Sequence, residues 1–170
     1  MPLTATLAAS VIADQSAAID LGTVAYPLRK YATVTLANGT GAGQADQLWT
    51  DQRTIAASGT DDLDLAGSLT NAFGATVTFA RIKSILVTAA AGNTNNVLVG
   101  GAASAQFLSW VGSATDKVVV RPGGFFALGA GAADAIGYVV TATTADLLRI
   151  ANSGAGTGVT YDISILGCTA

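Results

Sequence analysis

The chain has 170 residues, 51% of them hydrophobic and 11% charged, with 11 acidic and 8 basic side chains for a net charge of −3. Every acid is an aspartate, and there is no histidine, so imidazole general bases, Ser-His-Asp or Cys-His arrangements and His-ligated zinc are excluded. Cys168 stands alone and offers neither an internal disulfide nor a thiolate metal site.

Along the chain, the first residues are Ala-rich, with strand-like pieces at Leu3 to Ile12 and Ala17 to Thr23. Their apolar side chains are too small and scattered to make a core, and they read as an N-terminal arm over residues 1–24, with a single β-sandwich domain over 25–170. Small residues near the start resemble the end of an export signal, but no Lys or Arg precedes Arg29, so no such signal is expected. Ala32, Val34 and Leu36 then alternate with Tyr31, Thr33 and Thr35, the period of a half-buried strand. Asn38-Gly39-Thr40 is formally a glycosylation acceptor and reads instead as a turn. Gly39 to Gln44, GTGAGQ, has the look of a phosphate loop but lacks the Gly-Lys-Ser/Thr ending, and reads as an inter-strand loop.

Leu63 and Leu65 alternate with Asp62 and Asp64, giving a strand whose register is fixed because a one-residue slip would bury the acids. Asp61, Asp62 and Asp64 are the candidate oxygen ligands for a hard cation such as calcium, although no EF-hand spacing accompanies them. Thr76 to Thr88 reads as one long strand of mixed phase. Val77, Phe79, Ile85 and Val87 share a face with Arg81 and Lys83, while Ile82 and Leu86 fall opposite, which predicts a bulge or bend near Arg81 where the chain crosses between sheets. Ser84 beside Lys83, or any Ser paired with one of the three lysines, is formally a nucleophile dyad, but nothing in the sequence places such a pair together.

Further strands are expected at Asn96 to Val99, Lys117 to Arg121, Gly124 to Leu128, Ile136 to Thr141, Asp146 to Ala151 and Val159 to Leu166, with a short helical turn at Ala105 to Trp110. In the last strand Val159, Tyr161, Ile163 and Ile165 share one face and Thr160, Asp162 and Ser164 the other. Gaps are punctuated by Ser58-Gly59, Gly100-Gly101, Pro122-Gly123-Gly124 and Ser153 to Gly156, where Pro presets φ and Gly reaches positive φ. The expectation is an all-β, antiparallel, jelly-roll-like sandwich of about eight main strands. Trp49 and Trp110, with Tyr26, Tyr31, Tyr138 and Tyr161, are candidates for a sugar-stacking platform, with core or subunit interface as the competing reading.

A charged fraction of 11%, against about 25% in an ordinary globular domain, leaves a surface of Thr, Ser, Asn, Gly and Ala suited to burial against protein. No basic cluster is present to neutralise phosphates, so nucleic acid is not expected as a partner. Apolar runs are short and interrupted, and no membrane is expected either. No cofactor and no enzymatic activity are expected.

Long ordered strings carry a resemblance. Asn38 to Lys83, NGTGAGQADQLWTDQRTIAASGTDDLDLAGSLTNAFGATVTFARIK, followed by NTNNVLVGGAASAQF, RPGGFFAL and GYVVTATTADLLRIANSGAGTGVTYDISILG, resembles a group of tailed-bacteriophage virion proteins. The resemblance covers about Asn38 to Gly167. It implies a β-sandwich protein of the phage particle, of the minor capsid or decoration type, bound outside the major capsid shell after synthesis in the host cytoplasm. In that group LDLAGSLT, Leu63 to Thr70, and RPGG, Arg121 to Gly124, recur as fold features, and no catalytic residue is carried over. The expected assembly is a homotrimer around a threefold axis whose arms clamp neighbouring capsid subunits. The alternatives are a tail, baseplate or fibre component, or a glycan-binding module for host attachment.

Overall fold

Period-2 alternation recurring between turns along the chain produces a protein whose regular structure, among the described residues, is entirely strand. The computed structural model describes residues 2–170, and no helix occurs among them. In chain order the strands are β1 (Ala5–Ile19), β2 (Gly22–Asn38), β3 (Gln44–Ala45), β4 (Gln47–Ile55), β5 (Thr60–Asp64), β6 (Leu69–Thr70) and β7 (Thr76–Val77). They continue with β8 (Arg81–Ala89), β9 (Val97–Val99), β10 (Val118–Val120), β11 (Phe125–Gly129), β12 (Tyr138–Val139), β13 (Leu147–Asn152) and β14 (Val159–Cys168).

Two antiparallel sheets form the body. One has the order β10-β9-β13-β5; the other has the order β11-β8-β14-β4, with β12 also pairing to β8. The pairings nest: β4 with β14, β5 with β13, β8 with β11 and β9 with β10. The additional β14–β8 and β13–β9 pairings then close each sheet. Inward side chains from both sheets belong to one hydrophobic cluster, including Leu63, Leu148 and Ile150 from one and Trp49, Ile85 and Ile163 from the other. The body is therefore a β-sandwich, built as facing strands with alternate residues turned inward require.

The best-patterned strand behaves as its sequence dictates. Val159, Tyr161, Ile163 and Ile165 are fully buried, while Asp162 is exposed and Thr160 and Ser164 are half-buried. Leu63 and Leu65 are buried as well. The segment expected as one strand over Thr76 to Thr88 is instead two, because the chain leaves β7, paired to β6, before joining the five-stranded sheet as β8. The phase break lies at Lys83. Leu166 faces Ser84 and Gly167 faces Ile82, so Lys83 is the extra residue of a bulge. That insertion lets both Ile82 and Ile85 point into the core, although strict alternation would oppose them.

Other expectations are corrected. Ala105 to Trp110 is not helical: Gln106 makes an isolated bridge to Leu147, and Phe107 donates its amide to the Leu147 carbonyl. The strand expected over Ile136 to Thr141 is reduced to β12, and β4 is a full strand that the reading of the chain before and around Trp49 did not anticipate.

The N-terminal region departs furthest from expectation. Strands β1 and β2 pair in unbroken register from Ala5 opposite Leu36 to Ile19 opposite Gly22, turning at Asp20 and Leu21. The expected piece at Ala17 to Thr23 contains this turn, and position 24 lies two residues into the returning strand. At about 3.3 Å per residue the hairpin is roughly 50 Å long. Its base is tied down where β2 pairs in parallel with β3 and the Asn38 side chain accepts the Leu3 amide at 2.9 Å. Leu36 is buried there, whereas nearly every residue from Ala8 to Thr33 is exposed.

Candidate functional site

The three aspartates proposed as a cation site do not converge. Asp61 and Leu63 lie on one side of β5, Asp62 and Asp64 on the other. Asp61 accepts the Tyr161 hydroxyl at 2.7 Å and Arg53 Nη1 at 3.1 Å. Asp62 receives Arg149 Nε and Nη2, both at 2.7 Å, and Asp64 accepts the Ala66 amide at 2.9 Å in the following turn. Each carboxylate thus already holds protein donors, and the described residues contain no cluster able to hold a metal ion.

Electrostatics follow from these contacts. The hydrogen bonds from Arg149 hold the Asp62 carboxyl below the usual carboxylate range, and the same contacts raise the Arg149 guanidinium. Burial and the adjacent Asp61 push the Tyr161 phenol up. For Arg53 partial burial favours deprotonation, but Asp61 and Asp51 outweigh it and raise its pKa. The Asp134 carboxyl is lowered by the Gly137 and Ile136 amides that it accepts.

Trp49 is 2% exposed and carries Arg53 over its ring at 5.4 Å, so it is a core side chain and presents no face to a sugar. Trp110 is half-buried, donates Nε1 to the Phe107 carbonyl at 3.0 Å and leans on Phe126 with ring centroids 5.4 Å apart. Neither forms a stacking platform. Lys83 is 1% exposed, and its ammonium donates to the Asp134 carbonyl at 2.7 Å; no hydrogen bond joins it to Ser84 among the described residues. In the Gly39 to Gln44 loop the Gln44 side chain folds back to accept the Gly41 amide at 2.8 Å, and the Gly39 amide reaches the Ala45 carbonyl. Those two amides are satisfied internally and are not free to hold a phosphate. Burial raises the Cys168 thiol.

What the structure does present is an exposed apolar face on the hairpin. Residues directly opposite in an antiparallel pair share a face, so the register sorts β1 and β2 into two. One face holds Leu7 with Val34, Val11 with Lys30, Ala13 with Leu28, Gln15 with Tyr26, Ala17 with Val24, and Ile19. The opposite face is mixed: Thr and Ser residues and the ion pair of Asp14 with Arg29 at 2.9 Å, together with the exposed side chains of Ile12 and Tyr31 and with Pro27. The first face is apolar apart from Lys30 and Gln15, yet Val11 is 59% exposed, Val24 56% and Tyr26 66%, and Leu21 at the tip is 98% exposed.

At its base the same face approaches the outer side of the five-stranded sheet, enclosing a cleft of 490 Å³ between Leu7, Ala9 and Val34 on the hairpin and Leu86, Ala127 and Gly129 on β8 and β11. The cleft runs into the uncovered face. An isolated two-stranded ribbon is marginal in water, and an apolar stripe of this length on a surface is the mark of a contact site. The signal in the sequence was present as two period-2 segments flanking Asp20 and Leu21, with Asp14 and Arg29 placed to pair across them. Small alanines disguised it, because they lower the contrast between the faces.

No protein family matches the chain, and neither does any curated protein or solved structure.

Proposed function

We propose that this is a structural protein of a tailed-phage particle, bound to the outside of the capsid as a minor capsid or decoration protein that stabilises the shell. The observation that carries this reading is the projecting hairpin, an extended arm with one apolar face and few charges, anchored on a sandwich whose Asp61 and Asp62 carboxylates are paired with arginines of the same domain. Such an arm suits a permanent contact, because burying Ala, Val and Thr costs far less desolvation than burying Lys and Glu. The string resemblance over Asn38 to Gly167 supports the same reading. The nested pairing of the sandwich strands supports a jelly roll, an architecture frequent in capsid proteins.

In this reading the partners are the major capsid protein and further copies of the chain, with the sandwich domains grouped around a threefold axis and the hairpins reaching between groups. A ligand that binds only the assembled shell stabilises it by its binding free energy at every site. The protein performs no catalysis in this role.

The test is immunogold labelling of purified particles, combined with the copy number relative to the major capsid protein. Dense label on the head at hundreds of copies supports decoration. A few copies confined to the tail would move the protein to a tail, baseplate or fibre role, and absence from particles would overturn the virion reading.

A further inference from the structure

We propose that the uncovered face of the hairpin is covered by the same face of a second copy of this chain, the two hairpins running antiparallel so that the tip of each seats in the cleft at the base of the other. The contact is independent of where on a particle the protein sits.

Three observations select this occupant. The first is length. The cleft opens at Leu7 and Ala9, and the exposed tip begins at Ile19. Ala13, paired with Leu28, stands midway between Leu7 and Ile19. A twofold axis at that pair therefore brings Ile19 of one copy over Leu7 of the other and sends Leu21 toward the cleft. The two exposed apolar features of the arm then fill one another.

The second is charge. Lys30 is the one charged residue on this face. A parallel arrangement brings the two Lys30 ammonium groups to the same level of an apolar seam, where like charges repel and only Val11 lies opposite. The antiparallel arrangement about Ala13 places the Val11–Lys30 pair across from Gln15–Tyr26. There the ammonium meets a phenol ring and an amide oxygen.

The third is area. The uncovered ribbon from Ala9 to Ile19 is roughly 35 Å long and about 10 Å wide by strand geometry. With the cleft walls and the tip added, each copy buries on the order of 600 Å², so the pair reaches about 1,200 Å², the lower bound of specific interfaces. The small alanines at positions 9, 13 and 17 allow two ribbons to approach closely. The face bearing Asp14 and Arg29 stays in solvent.

The test uses the full chain with single substitutions Ala9→Cys and Ala17→Cys, both exposed and placed symmetrically about Ala13. Each is expressed alone and the two are also co-expressed, then mildly oxidised and examined on non-reducing gels. The native Cys168 is buried and serves as the silent background. The antiparallel contact predicts a disulfide-linked dimer from the co-expressed pair, at least ten-fold more abundant than from either variant alone, and self-linkage of Ala13→Cys. Ala17→Asp should weaken association at least ten-fold in sedimentation equilibrium while leaving the melting temperature unchanged. Linkage of Ala9→Cys or Ala17→Cys with itself would mean parallel hairpins, and no linkage in the co-expressed pair would mean that another molecule covers the face; either result overturns the proposal. Particle labelling plays no part in this test, so its failure and that of the virion reading are separable.

Discussion

The Tyr161 hydroxyl donates to the Asp61 carboxylate at 2.7 Å, joining the centre of one sheet to an outer strand of the other. Arg53 completes the cluster from β4, contacting both Asp61 and Asp51. A carboxylate on the core-facing side of β5 is tolerated because it keeps two charged or polar donors. Tyr161→Phe should cost about 1.5–3 kcal/mol, the usual loss for a buried hydrogen bond to a charged group, read from urea unfolding.

The same phenol sets an alkaline limit. Its pKa in the folded protein lies above the ordinary value of 10.0, so the folded state holds a proton that the unfolded chain releases. Its contribution is complete below pH 10 and declines above it, as the unfolded chain ionises. Wild type should lose stability above pH 10 more steeply than Tyr161→Phe. Parallel curves for the two proteins would remove Tyr161 as the cause.

On the acid side the relevant pair is Asp62 with Arg149. The Asp62 carboxyl is held below its ordinary value of 3.8; its contribution is present above that pH and is lost as pH falls through the folded value. Both side chains are partly exposed, and solvent screening limits the effect to about 1 kcal/mol or less at neutral pH. Asp62→Asn should flatten the stability curve between pH 4 and 2, by roughly that amount, and 1 M salt should narrow the gap between the two proteins.

At the bulge, the buried Lys83 stem and its hydrogen bond to Asp134 fill the space created by the inserted residue. Lys83→Ala should destabilise by about 2–4 kcal/mol, and Lys83→Met, which keeps the stem, by about 1 kcal/mol. Across the bulge, a methyl group at Gly167 would meet the Arg81 carbonyl and the Phe79 ring. Gly167→Ala should therefore cost about 1–3 kcal/mol through overpacking. Chemical denaturation of the three variants checks the order.

Excising the outer hairpin, by deleting Val11 to Lys30 and joining Ser10 to Tyr31 through an Asn-Gly turn, should leave the sandwich folded. The excised residues make no contribution to the hydrophobic cluster, and the anchor at Leu36 and Asn38 remains. The expected outcome is an unchanged near-ultraviolet spectrum and a melting temperature within about 3 °C, a shift of about 1 kcal/mol or less for a domain of this size, with binding to the particle abolished. Full particle binding by this variant would falsify the arm as the attachment device.

The sequence alone determined the class of structure and most of the sandwich. Alternation in Val159 to Leu166 and in Asp62 to Leu65 specified strands, their buried faces and their register, because a shift by one residue would have exchanged Ile or Leu for Asp in the core. The phase conflict between Ile82 and Ile85 announced a bulge within two residues of its place. Tertiary structure decided what depends on partners distant in the chain. Asp61 became the acceptor of Tyr161 and Arg53 rather than a ligand because β5 and β14 face one another across the core. Trp49 was buried by a strand whose alternation is masked by Thr, Gln and Asp on both sides. Residues 5–38 formed a hairpin that projects beyond its anchored base because Asp20 and Leu21 reverse the chain and β1 pairs only with β2. Alternation specifies which side chains share a face, whereas whether that face is covered is set by which part of the fold lies opposite it.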